Sequence, residues 1–252
     1  MNTTTLGILG GLGPMSGVYF CELLTEHTRA DCDRQHLDFL LSSRATTPDR
    51  TDFILGRSSD DPAPVMIEEV RRLIAAGADR IVIPCNTAHY FYERIAKVST
   101  VPVINIIRET VDFCVQNHIQ TVGVLATEGT VFSGAYEEEC RRAGVRYLTC
   151  SAEEQTVISR IIYDEIKKGQ APDLVAFRAV ADALLRRGAE AVILGCTELS
   201  LLKKDVGDAP YWIDSLEVLA CAAIRLCGKE PVGFDERLMK FTPRKEQKYA
   251  VE

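Results

Sequence analysis

GADRIVIPCNTAH (77–89) and GAEAVILGCTELS (188–200) decide the fold. Gly77 through Cys85 aligns without a gap on Gly188 through Cys196, every position shifted by 111. Each stretch runs from a glycine through an apolar segment to a cysteine followed by small polar residues. The glycines stand where a helix would end in a left-handed cap. The apolar segments read as buried strands. Two thiols at equivalent ends of two similar units point to one reaction centre approached from opposite sides.

The repeat extends outward from these stretches. TLGIL (5–9) matches TVGVL (121–125) at a shift of 116, which sets Gly13 opposite Gly129. VPVI (101–104) matches APYW (209–212). Strands are expected at 5–9, 37–41, 80–84, 103–106, 121–125, 146–148, 191–194 and 211–213. Helices are expected at 14–29, 63–76, 107–117, 133–143, 153–168, 173–187 and 216–226. In 63–76, Val65, Ile67, Val70, Leu73 and Ile74 mark the apolar face, leaving Glu68, Glu69, Arg71 and Arg72 for solvent. Alternating strands and helices imply an α/β fold with parallel sheets. The expected architecture is two pseudo-symmetric parallel-sheet α/β domains with the active site in the cleft between them. The first comprises 1–105 plus 215–252, the second 106–214. Helix 216–226 is expected to pack back on the first, and the polar end FTPRKEQKYAVE (241–252) to be loosely held.

Composition narrows the function. The net charge of −7, with no Lys/Arg run, argues against nucleic acid or an anionic membrane as partner. A small acidic substrate is still compatible, because it answers to a few local cations. The first thirty residues lack a secretory pattern, and no apolar run approaches a membrane span. Nine cysteines without a CxxC pair suit reduced thiols rather than disulfides or structural zinc, so a cytoplasmic protein with no metal is expected.

In parallel sheets, ligands bind beyond the carboxyl ends of the strands. That rule gathers Gly10–Pro14, Cys85, Ala126–Thr130 and Cys196 around one cleft. Removing a proton from the α-carbon of an amino acid without a cofactor needs a base, an acid and support for the developing charge. A thiol, with a free pKa of about 8.5, serves as base or acid. Asn86, Thr87 and Thr197 follow the thiols as candidate donors. Helix N-termini after both strands are expected to lower the thiol pKa values and attract a carboxylate. His89 reads as a thiol partner or, preferably, a packing histidine, and the other seven cysteines read as packing residues. In GGLGPMSG (10–17), Pro14 interrupts the dinucleotide spacing, so the glycines suit a tight loop with exposed amides. Arg44 and Arg50 lie in the polar stretch 42–61, either a surface loop or a closing loop. Lys167 and Lys168 are helix-end charges or ligands.

PCNTAH (84–89), GCTEL (195–199), GILGGLGP (7–14), TPDRT (47–51) and ATEGTVFSGAYEEE (126–139) together resemble the aspartate/glutamate racemase family, on its aspartate-racemase branch. The resemblance implies cofactor-independent interconversion of D- and L-aspartate or glutamate, two pseudo-symmetric domains and a homodimer. It implies Cys85 and Cys196 as the acid/base thiols, and Arg50 with Lys167 around the distal carboxylate. It places Asn86, Thr87, Thr127, Thr130 and Thr197 at the α-carboxylate or pocket wall, and Leu12 on the loop approaching substrate. Three departures stand out. Met15-Ser16-Gly17 follows Pro14 in place of the frequent loop sequence, and the aspartate-serine pair of glutamate racemases is missing from the first loop. Glu198 stands where the glutamate-racemase branch places a histidine. The competing readings are a single-cysteine lyase or isomerase on a malonate-like or dicarboxylate substrate, and a non-catalytic module binding acidic amino acids.

Overall fold

The computed structural model describes residues 4–207 and 209–244, apart from the side chain of Lys204. Two four-stranded parallel sheets form the frame. The first contains β1 (Leu6–Gly10), β2 (Phe39–Ser43), β3 (Arg80–Val82) and β4 (Val103–Ile104), in the order β2-β1-β3-β4. The second contains β5 (Thr121–Leu125), β6 (Arg146–Thr149), β7 (Ala191–Leu194) and β8 (Trp212–Asp214), in the order β6-β5-β7-β8. Each expected strand is present.

The register reproduces the repeat. Leu6 pairs with Arg80, and Val122 pairs with Ala191, so the shifts of 116 and 111 hold together. The proline match is one residue out. Ile81 pairs with Val103 and Val192 with Trp212, which makes Trp212 the counterpart of Val103 rather than of Ile104. Proline marks the entry to each strand, but the hydrogen-bond ladder sets the register. Gly77 and Gly188 end the preceding helices at φ 103° and 98°, a backbone that glycine adopts without steric cost.

The first half of the chain supplies α1 (Pro14–Glu26), α2 (Arg50–Ile54), α3 (Ala63–Ala75), α4 (Tyr92–Ala96) and α5 (Ile106–Gln116). The second supplies α6 (Glu128–Phe132), α7 (Ala135–Ala143), α8 (Ala152–Arg160), α9 (Leu174–Arg186), α10 (Thr197–Ser200), α11 (Lys203–Val206), α12 (Ser215–Leu226) and α13 (Glu236–Lys240). Asn105 and Asp214 cap α5 and α12 by accepting from backbone N–H groups in the first turn. The two caps follow equivalent strands, so α5 and α12 are repeat counterparts, and they pack on each other.

Three apolar clusters order these elements. The largest joins inner residues of both sheets (Ile8, Val82, Val124, Ile193) to α1, α5, α7 and α12. A second seals α3 and α4 onto the first sheet, and a third seals α8 and α9 onto the second. Helix α12 has buried residues on all sides, Ser215, Leu216 and Val218 through Ile224, while Glu217, Arg225 and Leu226 are half-buried. It packs on α5, of the expected second unit, and on α1, of the first.

Several expectations are corrected. Glu69 is buried, not solvated, because Ser42, Arg44 and Arg72 all donate to its carboxylate. Arg44 is thereby committed to the rim formed by Glu68 and Glu69. Cys32 is exposed rather than packed. The helix expected over 153–168 changes pitch: after α8 come a π-turn at Ile161–Glu165 and a 3₁₀ turn at Ile166–Lys168. The polar end is anchored at its start, where Phe241 is buried edge-on against Phe113 and Arg244 pairs with Asp112. The rest of that end, 245–252, lies outside the described residues.

Candidate active site

Each cysteine follows a central strand of its sheet and is buried, Cys85 to 6 % exposure and Cys196 to 5 %. Both line one cleft. Leu12, Arg50, Asn86, Thr87, Thr127, Lys167 and Thr197 line it as well. The structure therefore brings nine of the ten sequence-derived site residues together. The tenth, Thr130, sits one layer back. Its hydroxyl lies 2.9 Å from that of Thr87 and 3.0 Å from that of Thr127, while Thr87 and Thr127 are 2.9 Å apart.

Short capped helices place these groups. In TPDRTD, Asp49 accepts from the Asp52 N–H and starts α2, which turns Arg50 inward. The stretch expected to be a loop is thus partly helical. Arg50 donates to the carbonyls of Leu12 (2.8 Å) and Pro48 (3.1 Å), and its Nε is buried without a partner. A buried guanidinium held by carbonyls, with an N–H left over, is prepared for an anion. In TEGT, Thr127 accepts from the Thr130 N–H and starts α6. Gly129 lets α6 press on α2: a Cβ there would lie 2.8 Å from the Thr51 hydroxyl oxygen.

The π-turn presents the second wall. A widened turn moves Tyr163 and Lys167 toward the cleft, a feature frequent at functional sites. Tyr163 donates to Thr51 Oγ1 across the cleft at 2.7 Å. The Lys167 ammonium lies 4.7 Å from the centre of the Tyr163 ring and 3.6 Å from Glu198 Oε1. Burial pulls Lys167 down, but the negative charge of Glu198, and of the two cysteines in their ionised form, outweighs it and leaves the ammonium above its usual pKa.

Polar bonds join the cysteine loops to each other and to their supports. Thr197 Oγ1 donates to the Pro84 carbonyl at 3.3 Å. Asn86 Nδ2 donates to Ser215 Oγ, and its Oδ1 accepts from the buried Tyr136 hydroxyl at 2.8 Å. His89 is a packing residue. Its Nδ1–H must donate to the Cys85 carbonyl (2.9 Å), so Nε2 accepts the Ile106 N–H (3.2 Å) and pins the loop to α5. Burial pushes this imidazole down to about 4, and it is held neutral.

Both thiols are harder to ionise than a free cysteine. Burial pushes Cys85 up, Arg50 pulls it back, and Glu198 adds to the rise. Cys196 is pushed well above its usual value by burial first and by Glu198 second, with Lys167 opposing. This corrects the expected lowering by helix N-termini. The 3₁₀ turn Thr87–Phe91 and α10 are too short to outweigh desolvation of buried thiols. Asp49, Thr51, Tyr163 and Glu198 line the cleft without having been placed there from the sequence. For Glu198 the signal was present, as a departure directly beyond the second cysteine-threonine pair.

No helix among the described residues is long and apolar enough to cross a membrane. The sequence matches the Asp/Glu/hydantoin racemase family over residues 9–223. It is 24 % identical over 225 residues to a broad specificity amino-acid racemase of Bacillus subtilis (strain 168), covering 87 % of this chain and 96 % of that protein. It is 32 % identical over 173 residues to a glutamate racemase of Aquifex pyrophilus, 65 % of each chain. A glutamate racemase of Aquifex aeolicus matches at 28 % over about half of each chain, 52 % of this one and 50 % of that protein. Among solved structures, the Picrophilus torridus aspartate racemase superposes with a TM-score of 0.80 at 28 % identity, covering 94 % of this chain and 99 % of its own. A glutamate racemase from Francisella tularensis, solved with D-glutamate, shares the fold at a TM-score of 0.66 and 17 % identity, with 96 % and 85 % covered. With the profile running from β1 into α12 and taking in both cysteines, the chain belongs to the Asp/Glu/hydantoin racemase family.

Proposed function

We propose that this protein interconverts D- and L-aspartate, or the corresponding glutamates, by two-thiol acid/base catalysis without a cofactor. The observation that carries this reading is the pair Cys85 and Cys196, buried at equivalent strand ends of two related sheets and lining the same cleft. One cysteine, as thiolate, takes the α-proton. The opposite thiol gives its proton to the other face of the carbon, so one thiolate and one thiol remain and only the stereochemistry has changed. Arg50, with its unpartnered Nε, and Lys167 hold the distal carboxylate. The hydroxyls of Thr87, Thr127 and Thr197 and the remaining amide hydrogen of Asn86 face the α-carboxylate, where negative charge grows during proton removal. Thr130 fixes the orientation of the other two hydroxyls. The aspartate racemase structural neighbour supports a short acidic substrate, and so do the two cations on the cleft wall, Arg50 and Lys167.

The reading includes a cytoplasmic homodimer. It also divides the chain into 1–105 with 215–252, and 106–214, with the active site in the cleft between them. The deciding experiment is proton NMR of the purified protein with L-aspartate and L-glutamate in deuterated water, with enantiomer analysis. Entry of deuterium at the α-carbon together with inversion is expected. Exchange with neither amino acid removes the acidic-substrate reading, and inversion that survives Cys196→Ala moves the protein to single-cysteine chemistry.

A further inference from the structure

We propose that Glu198 makes the two thiols unequal: it accepts the Cys196 S–H and keeps that cysteine protonated, while Cys85 is the thiol that ionises first. The proposal rests on the two-thiol reading of the site and deepens it. Glu198 acts through Cys196 and is a positioning residue.

Three features of the geometry support it. Cys196 Sγ lies 3.0 Å from Glu198 Oε2, and a carboxylate facing a thiol can only accept the proton. The other oxygen, Oε1, is buried without a hydrogen bond, with the Lys167 ammonium 3.6 Å away as counter-charge. The fold also reserves room for this carboxylate. A Cβ at Gly13 would lie 2.4 Å from Oε1, although the backbone there (φ −99°, ψ 132°) accepts any residue. Gly13 is therefore a glycine for the sake of space, not conformation. Cys85 has no such neighbour. The repeat counterpart of Glu198 is Thr87, a neutral hydroxyl 2.9 Å from those of Thr127 and Thr130, and the Cys85 sulfur receives the Ala88 backbone N–H, a donor that favours the thiolate.

Besides Glu198, the titratable and charged groups lining the cleft with Cys196 are Lys167 from the 3₁₀ turn, Tyr163 from the π-turn, Cys85, and Asp49 and Arg50 at the start of α2. Lys167 and Arg50 favour a thiolate, and Glu198 opposes one where it is nearest. In the resting site, then, Cys85 is the base and Cys196 the acid. A turnover in that direction leaves Cys85 as thiol and Cys196 as thiolate beside a carboxylate. That form regains its proton on Cys196, and loses the one on Cys85, through solvent before the next cycle. The two enantiomers are equal in free energy, so kcat/KM must be the same in both directions, and the asymmetry has to be read from the thiols themselves.

The test is the pH dependence of alkylation of each cysteine by iodoacetamide, read peptide by peptide by mass spectrometry. It uses the full-length wild type, Glu198→Gln and Gly13→Ala, whose folding is checked by circular dichroism. In the wild type, the Cys196 profile is expected to lie at higher pH than that of Cys85. In Glu198→Gln, its midpoint falls by about one unit, while Cys85 moves less. Below the midpoint, the thiolate fraction rises about tenfold and the reactivity of each thiolate falls about threefold, a net gain of about threefold. Gly13→Ala pushes the flexible carboxylate aside and shifts Cys196 in the same direction, which keeps the proposal testable should Glu198→Gln fail to fold. A Cys196 profile at or below that of Cys85 in the wild type overturns the proposal. So does one that neither variant moves. Deuterium exchange on the same samples separates the two claims: exchange with an unmoved Cys196 profile removes the role of Glu198 alone. Ordered thiols without exchange retain that role and remove the substrate reading.

Discussion

At position 87 the first half of the molecule carries a threonine whose hydroxyl meets Thr127 and Thr130; at the equivalent position 198 the second carries a glutamate against its own cysteine. Two positions further on, the halves solve one problem with different chemistry. His89 ties the Cys85 loop to α5 through the Ile106 N–H. Its counterpart Ser200 ties the Cys196 loop to α12 by donating to Asp214, the cap of that helix, at 2.6 Å. The backbone plan has been kept while the side chains have diverged. The difference teaches where symmetry is required. It is required of the two sulfur atoms, which must face opposite sides of one carbon, and not of the groups that tune or anchor them.

The largest effects should come from removing either sulfur. Cys85→Ala and Cys196→Ala are each expected to lower racemization by at least 10²–10⁴-fold, the usual worth of a positioned acid or base. Each variant still has one face served, so deuterium should enter one enantiomer only, a different one for each variant. The comparison sharpens if the protein relying on Cys196 alone exchanges more slowly at neutral pH than the one relying on Cys85. Equal rates would say that the halves are as symmetric in chemistry as in fold.

The anchors are the next place to break the symmetry, and here the readout is stability against pH. The His89 pKa is about 4 in the fold and about 6.5 in the unfolded chain, so folding favours the neutral ring. Its contribution is complete above pH 6.5 and is lost as the pH falls toward 4, because the unfolded chain takes up the proton first. The full loss is on the order of 3 kcal/mol. Urea unfolding at pH 7 and pH 5 should show a steeper decline for the wild type than for His89→Gln. Parallel declines would mean that the Cys85 loop does not depend on a neutral histidine. Ser200 does not titrate, so no such dependence is expected from the serine itself.

The two cations allow a third comparison. Arg50 is 7 % exposed and Lys167 shows 27 % of its side chain to solvent. Arg50→Lys keeps the charge but loses the fork and the free Nε–H, and is expected to lower kcat/KM about 10–100-fold, the worth of one charged hydrogen bond. Lys167→Arg keeps a donor at a more open place and should cost less. The reverse order would assign the distal carboxylate chiefly to Lys167.

Much of this could be read from the chain, for a physical reason. The inner strands β1, β5 and β7 are short apolar runs buried on both faces, which leaves a continuous pattern, while the half-exposed edge strands β2 and β6 are more polar. Leu12, Cys85, Asn86, Thr87, Thr127, Cys196 and Thr197 could be placed because strand ends fix them, whereas Arg50 on α2 and Lys167 on the 3₁₀ turn were placed by the family resemblance. What escaped was short or local. Helices α2, α6 and α10 span five residues or fewer and have no periodicity to display, only a cap at Asp49 or Thr127. The π-turn at Ile161–Glu165 has the composition of the helix it interrupts. Glu69 looked solvated because the partners that bury it, Ser42 and Arg44, are distant in sequence. Glu198 was visible as a departure, but what it departs toward, an accepting oxygen at the Cys196 sulfur, exists only in three dimensions.

The smallest expected effect concerns the support behind Asn86. Its Oδ1 accepts from Tyr136, which is fully buried, while Nδ2 donates to Ser215, whose own hydroxyl donates to the Leu194 carbonyl. The chain of bonds thus runs from the residue after Cys85 to the end of β7, just before the Cys196 loop. The counterpart of Asn86, Thr197, makes a shorter return link to the Pro84 carbonyl. Tyr136→Phe removes one hydroxyl without changing the packed volume and leaves an amide oxygen unsatisfied. The cost is expected to be about 1 kcal/mol or slightly more, a fall in Tm of roughly 2–4 °C for a chain of this size. Thr197→Val removes the return link and should cost no more, since a 3.3 Å bond is the longer of the two. If Tyr136→Phe also lowered kcat while leaving KM unchanged, Asn86 would be acting on the growing charge of the α-carboxylate rather than on the resting substrate. A rise in KM alone would restrict it to binding.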